Sequence, residues 1–358
     1  MRVSGELGLN PQRIERNSGM ANKKLSKQTI TFENPPSIIQ TASIVGPREG
    51  QGPLARYFDE ILDDELWNEK SWEKAESKIL RECINKVVKK SAKPFTDVNY
   101  ILAGDLLNQC ISSNYAVRET DVPFFGLYGA CSTMSESLSL AAMIIDGGFA
   151  DYVIAAASSH FCSAERQFRF PLELGTQRPL TSQWTVTGAG ASLLSSTGNG
   201  PYITNITTGK IVDMGINDSN NMGAAMAPAA ADTIYAHFNN TGITPDSYDL
   251  IITGDLGYVG LEIASDILSK MGLDISNKLT DCGVMIFDRD RQDVHAGGSG
   301  CGCSASVLNG YLYNQITSGN FNKILFVATG ALMSPTIIQQ DETIPGIAHA
   351  VTIQKNRE

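Results

Sequence analysis

No stretch of this 358-residue chain offers the ~18–20 consecutive apolar residues that a helix needs to cross a bilayer. Any membrane association is therefore expected to run through partners. A signal-peptide pattern is also missing ahead of the fold. Positive charge is short: 28 Lys and Arg face 38 Asp and Glu, for a net charge of −10. That balance excludes nucleic acid and anionic membrane as broad partners, since both take a basic surface. Disulfide architecture is absent too. Seven cysteines, an odd number without framework spacing, read as free thiols in a reducing, intracellular setting.

What is present is an internal echo. Ile101-Leu102-Ala103-Gly104-Asp105-Leu106 returns 150 positions later as Ile251-Ile252-Thr253-Gly254-Asp255-Leu256. Each copy follows a helical stretch and a loop with proline, Pro94 or Pro245. A second echo, at a spacing of 171, links Val153-Ile154-Ala155-Ala156-Ala157-Ser158 to Ile324-Leu325-Phe326-Val327-Ala328-Thr329. These periods are far too long for a solenoid and describe a duplicated α/β half. The halves are expected over 20–199 and 200–358. Residues 1–19 are polar and aperiodic, and the natural start is expected at Met20; the segment reads as a tag or as a disordered arm.

Periodicity places a charged helix over Trp67–Val88 and strands at Tyr100–Ala103, Val122–Leu127 and Tyr152–Ala157. A small-residue helix is expected over Ser132–Ile145, ended by Gly147-Gly148. The strand Gly188–Leu194 has its counterpart at Gly346–Thr352. In the second half, helices are expected over Met222–Phe238 with an interruption at Pro228, over Gly260–Met271, and over Ser304–Ile316. A strand is expected at Val284–Phe287 and a glycine-rich turn at Gly297–Cys303. Helices rich in Ala, Gly and Ser pack closely, so they belong between sheets. The sum is an α-β-α-β-α layered sandwich.

Cys131 stands at a strand-to-helix turn, where free N–H groups favour anions and lower a thiol pKa. The turn at Cys301 and Cys303 is its mirror, so a shared pocket would form where the two meet. The alternative for Cys131 is a small buried hydrophobe. Among the four histidines, His160 lies at the C-terminal end of a strand, where ligand sites of α/β sheets gather. A satisfied structural histidine is the other reading. His295 follows a polar run and reads as a surface-loop residue, and His237 and His349 as structural. Asp105 and Asp255 end twin strands and read first as turn caps. Cys301 and Cys303 alone are too few ligands to define a metal site.

Gly129-Ala130-Cys131-Ser132-Thr133 and the later Gly188-Ala189-Gly190-Ala191 resemble the nucleophile elbow and glycine-alanine segment of thiolases and ketoacyl synthases. Within that superfamily the chain is more similar still to the stage V sporulation AD (SpoVAD) family of spore formers. The strings that carry this likeness include Ala103-Gly104-Asp105-Leu106-Leu107-Asn108-Gln109, Ala164-Glu165-Arg166-Gln167-Phe168-Arg169 and Ala225-Met226-Ala227-Pro228. Ala296-Gly297-Gly298-Ser299-Gly300-Cys301 and Ser334-Pro335-Thr336 complete them.

The resemblance implies a thiolase-like fold and binding of dipicolinic acid (pyridine-2,6-dicarboxylate), without turnover, during its loading into the spore. It also implies other SpoVA membrane proteins as partners, a peripheral place at the forespore membrane, and a homodimer. A condensing enzyme needs a basic histidine where this chain has Gly254-Asp255, and a second His or Asn near Cys301. Neither is there, so a vestigial site without cofactor or metal is expected. An acyltransferase or condensing enzyme using Cys131 is the competing reading. The ligand is expected to meet Cys131, Ser132, Thr133, His160, Arg166, Asp255, Cys301 and Ser304, with Arg169 beside Arg166. Calcium between Asp255 and the acid is a further expectation.

Overall fold

The computed structural model describes residues 23–168 and 178–357. The segment 1–19, the start at Met20 and Arg169 lie outside the described residues.

Among the described residues, ten strands form two half-sheets, and two short ones, Thr29–Thr31 and Glu60–Ile61, pair beside them. The first half contributes β1 (Ser37–Val45), β2 (Tyr100–Gly104), β3 (Phe124–Gly126), β4 (Tyr152–Ser159) and β5 (Gly188–Ser195). The second contributes β6 (Tyr202–Thr207), β7 (Leu250–Thr253), β8 (Leu279–Asp281), β9 (Lys323–Ala331) and β10 (Gly346–Gln354). Their spatial orders are 1-5-4-2-3 and 6-10-9-7-8, the same order with five added to each number. The two echoes in the sequence are therefore β2 with β7 and β4 with β9. The half-sheets touch at the Ser37–Tyr202 pair of β1 and β6.

Five helices fill the layers. α1 (Trp72–Ser91) covers the outer face of the first sheet, and α3 (Met222–Thr241) that of the second. α4 (Gly257–Lys270) packs beside α3. Between the sheets lie α2 (Thr133–Asp146) and α5, which starts as Cys301–Ser306 and continues through Val307–Leu312 and Tyr313–Ser318. Three separate apolar cores result, one between the sheets and one under each outer layer. The expected α-β-α-β-α sandwich is what forms. Leu138 and Met134 of α2 are fully buried in the middle layer; truncating such a leucine to alanine costs ~2–5 kcal/mol.

The close fit of the middle layer explains the small residues of β5. A Cβ on Gly190 would lie 2.2 Å from the Ala305 carbonyl oxygen, so only glycine lets α5 settle against the strand. Within α5, the segment Val307–Leu312 takes π-type bonding. Side chains compete for its ladder there: the Asn309 amide takes the Ala305 carbonyl at 2.8 Å, and Thr41 takes the Asn309 carbonyl at 2.8 Å.

Three local expectations change. The strand expected at Val284–Phe287 is a short helix, Cys282–Met285, and the sheet partner is β8 just before it. A short apolar run does not distinguish strand from buried helix. Pro228 does not interrupt α3, because burial of its alanine face outweighs one lost N–H bond. The glycine-rich turn narrows: Gly298–Ser299 pairs in parallel with Trp184–Thr185, and helix begins at Cys301. No helix of the described residues is long and apolar enough to cross a membrane.

Candidate functional site

The turn before α2 is held in a costly conformation. Ala130 has φ of 49°, left-handed for a residue with a Cβ, at a cost of roughly 1 kcal/mol or more. Two contacts retain it. The Ala130 carbonyl accepts from Thr133 Oγ1 at 2.6 Å and from the Cys301 thiol at 3.0 Å, so the second half grips the elbow of the first. Ser132 Oγ donates to the Gly129 carbonyl at 2.6 Å. The hydroxyls of Ser132 and Thr133 thus serve the turn, and both are fully buried.

Cys131 lines a cleft with about 630 Å³ of empty space, the open solvent at its mouth included. Leu106, Tyr128, Phe168, Met222 and Met333 form its apolar walls; Thr185, Ser219 and Ser299 bring hydroxyls, and Gln183 and Glu165 further polar groups. Lys, Arg and His are absent from the described lining.

Asp255 stands behind Cys131, fully buried at the end of β7. Its carboxylate accepts from Thr329 Oγ1 at 2.6 Å, Ser299 Oγ at 3.0 Å and the Gly300 N–H at 3.2 Å, and also from the Cys131 thiol. Gly300, with φ of 98°, uses a conformation suited to glycine to aim that N–H. Burial pushes Asp255 up to about 6 against the pull of these donors. Burial, then the neighbouring Asp255, holds the Cys131 thiol well above its ordinary pKa. Helix position would lower it, but desolvation and a carboxylate win.

Of the eight expected ligand residues, Cys131 alone lines the cleft, with Asp255 directly beneath it. Cys301 and Ser304 are buried in the first turn of α5, where Ser304 Oγ reaches the Cys301 carbonyl at 3.4 Å. His160 is buried elsewhere: its Nε2 meets the Glu65 carbonyl at 2.7 Å and its Nδ1 accepts from the Cys162 N–H at 3.1 Å. Burial lowers its pKa, so it is a neutral, internally bonded imidazole. Arg166 pairs with Glu73 and lies over the Trp72 ring, away from the cleft lining. His295 bonds Pro179 and Asp293 in a loop, also outside the lining. His237 and His349 are buried in the second half and depressed by burial to about 3 and about 4.

Sequence reasoning missed Gln183, Thr185, Ser299 and Thr329. Ser299 at least belonged to the glycine-rich string; Gln183 carried no signal. Gln183 Nε2 donates to the carbonyls of Asp255 at 2.6 Å and Gly298 at 2.9 Å, tying the cleft floor together.

A duplicated five-layer sandwich with a cysteine on an elbow between its halves is the thiolase-like fold. Solved structures share that fold: 3-oxoacyl-[acyl-carrier-protein] synthase III from Aquifex aeolicus VF5 aligns with a TM-score of 0.54 at 13% identity, over 89% of this chain and 99% of that one. Cerulenin-bound OleA of Xanthomonas campestris aligns at 0.55 and 14%, over 90% and 97%. Within that class, the family profile of stage V sporulation protein AD (SpoVAD) matches residues 26–354, and the chain belongs to this family. Stage V sporulation protein AD of Bacillus subtilis (strain 168) is 47% identical over 333 residues, which is 93% of this chain and 98% of the relative.

Proposed function

We propose that this sporulation-family protein binds a small aromatic acid, dipicolinate, in the Cys131 cleft and does not turn it over. The observation that carries the reading is the Asp255 carboxylate against the Cys131 thiol. Condensing chemistry needs a thiolate beside an imidazole that takes its proton. A thiol donating to a buried carboxylate is the opposite arrangement, since ionisation would place two anions together out of water. The site keeps a shape and loses a nucleophile.

The cleft suits a flat ring between Leu106, Tyr128, Phe168 and Met333, with hydroxyls of Thr185, Ser219 and Ser299 for carboxylate oxygens. With no cation in the described lining, the acid's charge is balanced by what enters with it, a proton or calcium. Other SpoVA membrane proteins are the proposed partners, at the forespore membrane. Edge strand β3 exposes Phe125, with Tyr128 exposed nearby, and is the proposed seam of a homodimer.

Calorimetric titration of dipicolinate into the chain, with and without calcium, tests the reading. A saturable binding event that Cys131→Ala weakens supports it, and a flat trace at millimolar ligand removes it. Acyl transfer remains the second reading because Cys131 sits on an elbow at the start of α2 in a fold shared with condensing enzymes. It requires covalent acylation of Cys131 by an acyl-CoA, read by mass spectrometry of the intact chain.

A further inference from the structure

We propose that the groove on the other side of the Trp184–Thr185 strand is an oxyanion site, in which Arg48 and Arg178 receive a carboxylate or phosphate group. The groove has about 880 Å³ of empty space, open solvent included, and its lining includes Arg48, Gln51, Glu65, Trp184 and Gln292. Trp184 anchors it. Phe161 stacks on the indole at 3.7 Å between centroids and 3° between planes. The Arg48 guanidinium lies 3.7 Å from the same ring's centroid, and that of Arg178 4.9 Å.

Two guanidinium groups at one indole repel each other; burial and then Arg178 lower the Arg48 pKa. Each also retains a buried N–H without an acceptor, Nε of Arg48 and Nη1 of Arg178. Buried donors are rarely left unmet, so two of them at one indole call for a missing acceptor. Their remaining contacts are local. Nη2 of Arg48 donates to the Asp293 carbonyl at 2.6 Å, and Nη2 of Arg178 to that carbonyl at 3.1 Å and to Asp293 Oδ2 at 2.7 Å.

The groove's own carboxylates do not fill the role. Asp293 already holds Arg178 and, at 2.9 Å, His295. Asp64 Oδ1 accepts from the N–H groups of Leu66 and Trp67 at 2.8 and 2.7 Å. Glu65 Oε2 is itself buried without a hydrogen-bond partner, 3.7 Å from the neutral His160. A group that accepts from Arg48 and Arg178 and donates to Glu65 meets all three needs. Hydrogen phosphate and a half-protonated dicarboxylate both do so. The lining brings Arg48 and Arg291 together with Asp64, Glu65 and Asp293, and Arg178 joins them through the Trp184 ring and Asp293, so hydrogen-bond geometry rather than net charge selects the ligand. The groove's lining shares no residue with that of the Cys131 cleft.

The test titrates inorganic phosphate and, separately, pyridine-2,6-dicarboxylate into the full chain at millimolar concentration, read by calorimetry and by tryptophan fluorescence, with Trp184→Phe as the blank. In the Cys131→Ala background, where the cleft's own contribution is reduced, saturable binding is expected to persist, and to weaken roughly tenfold or more when Arg48→Gln or Arg178→Gln is added; phosphate binding is expected to weaken by the same factor in the single arginine variants. Arg48→Lys, which keeps the charge and loses the planar fork, is expected to weaken it as well, and it carries the test if a glutamine variant fails to fold. Saturation by phosphate alone identifies a phosphate site, and by the dicarboxylate alone a carboxylate site. Absence of binding by both anions overturns the proposal and assigns the unmet N–H groups to water. Unchanged affinity in well-folded arginine variants overturns it equally. Dicarboxylate binding lost in Cys131→Ala but intact in both arginine variants leaves the cleft reading standing and removes this one.

Discussion

Asp105 and Asp255 close the same strand in the two halves, and they do different work. Asp105 bonds within its own neighbourhood: Leu107 N–H at 2.8 Å, then the N–H and hydroxyl of Ser113 at 2.8 and 2.6 Å. It is a turn cap. In the second half that task falls to Asp281 of β8, which takes the N–H groups of Leu256, Gly257 and Gly283 and the Thr253 hydroxyl. Asp255 is thereby released from its loop and faces across to Cys131, Ser299 and Thr329. Duplication supplied two equal carboxylates, and a third from a neighbouring strand allowed one of them to change partners.

The largest effect that would break this comparison is expected from Asp281→Ala. It orphans three buried N–H donors, while the Thr253 hydroxyl keeps the Thr280 carbonyl at 3.1 Å, and should cost ~3–5 kcal/mol, read as a lower midpoint in urea. Next is Asp255→His, which replaces the carboxylate with a base. Alkylation of Cys131 by iodoacetamide at neutral pH should rise roughly tenfold or more; an unchanged rate would mean that burial alone silences the thiol. The third concerns pH. Asp255 and Asp281 are held by burial at about 6 and about 7, above their ordinary value of 3.8. The folded state therefore keeps protons that the unfolded chain has released, and their contribution to stability falls as pH rises from about 4 through 6–7. Melting temperatures from pH 5 to 8 should show a smaller decline in Asp255→Asn than in the wild type. The smallest effect is expected from Arg166→Ala: its partner is the partly exposed Glu73, and the loss should stay within about 1 kcal/mol.

The layered fold was legible because the signals that encode it are repeated. The echoes at 101 and 251 and at 153 and 324 named two equivalent strand pairs, and the small residues of α2, α5 and β5 named the layer between the sheets. β8 was not legible, since Leu279-Thr280-Asp281 is too short to show alternation and its neighbour Val284 to Phe287 is more apolar. The cleft was legible at its centre and poorly at its rim. Cys131 and Asp255 sat at recognisable strand ends. Gln183, Thr185 and Thr329 reach the site by tertiary pairing, through Gly298–Ser299 with Trp184–Thr185 and through β9, and no local pattern announces such a meeting. His160 illustrates the reverse. It occupies a favourable strand end, yet the Glu65 carbonyl and the Cys162 N–H consume both ring nitrogens.

The two-residue strand Trp184–Thr185 has a cleft on one side and a groove on the other, and it is a party wall. Thr185 lines the first chamber and Trp184 the second. Whatever an occupant of one chamber does to the wall, in free energy, an occupant of the other must do in return, by the same factor in affinity. A two-ligand titration would read that factor directly, and the wall is pinned through Gly298–Ser299 to the residues beside Asp255.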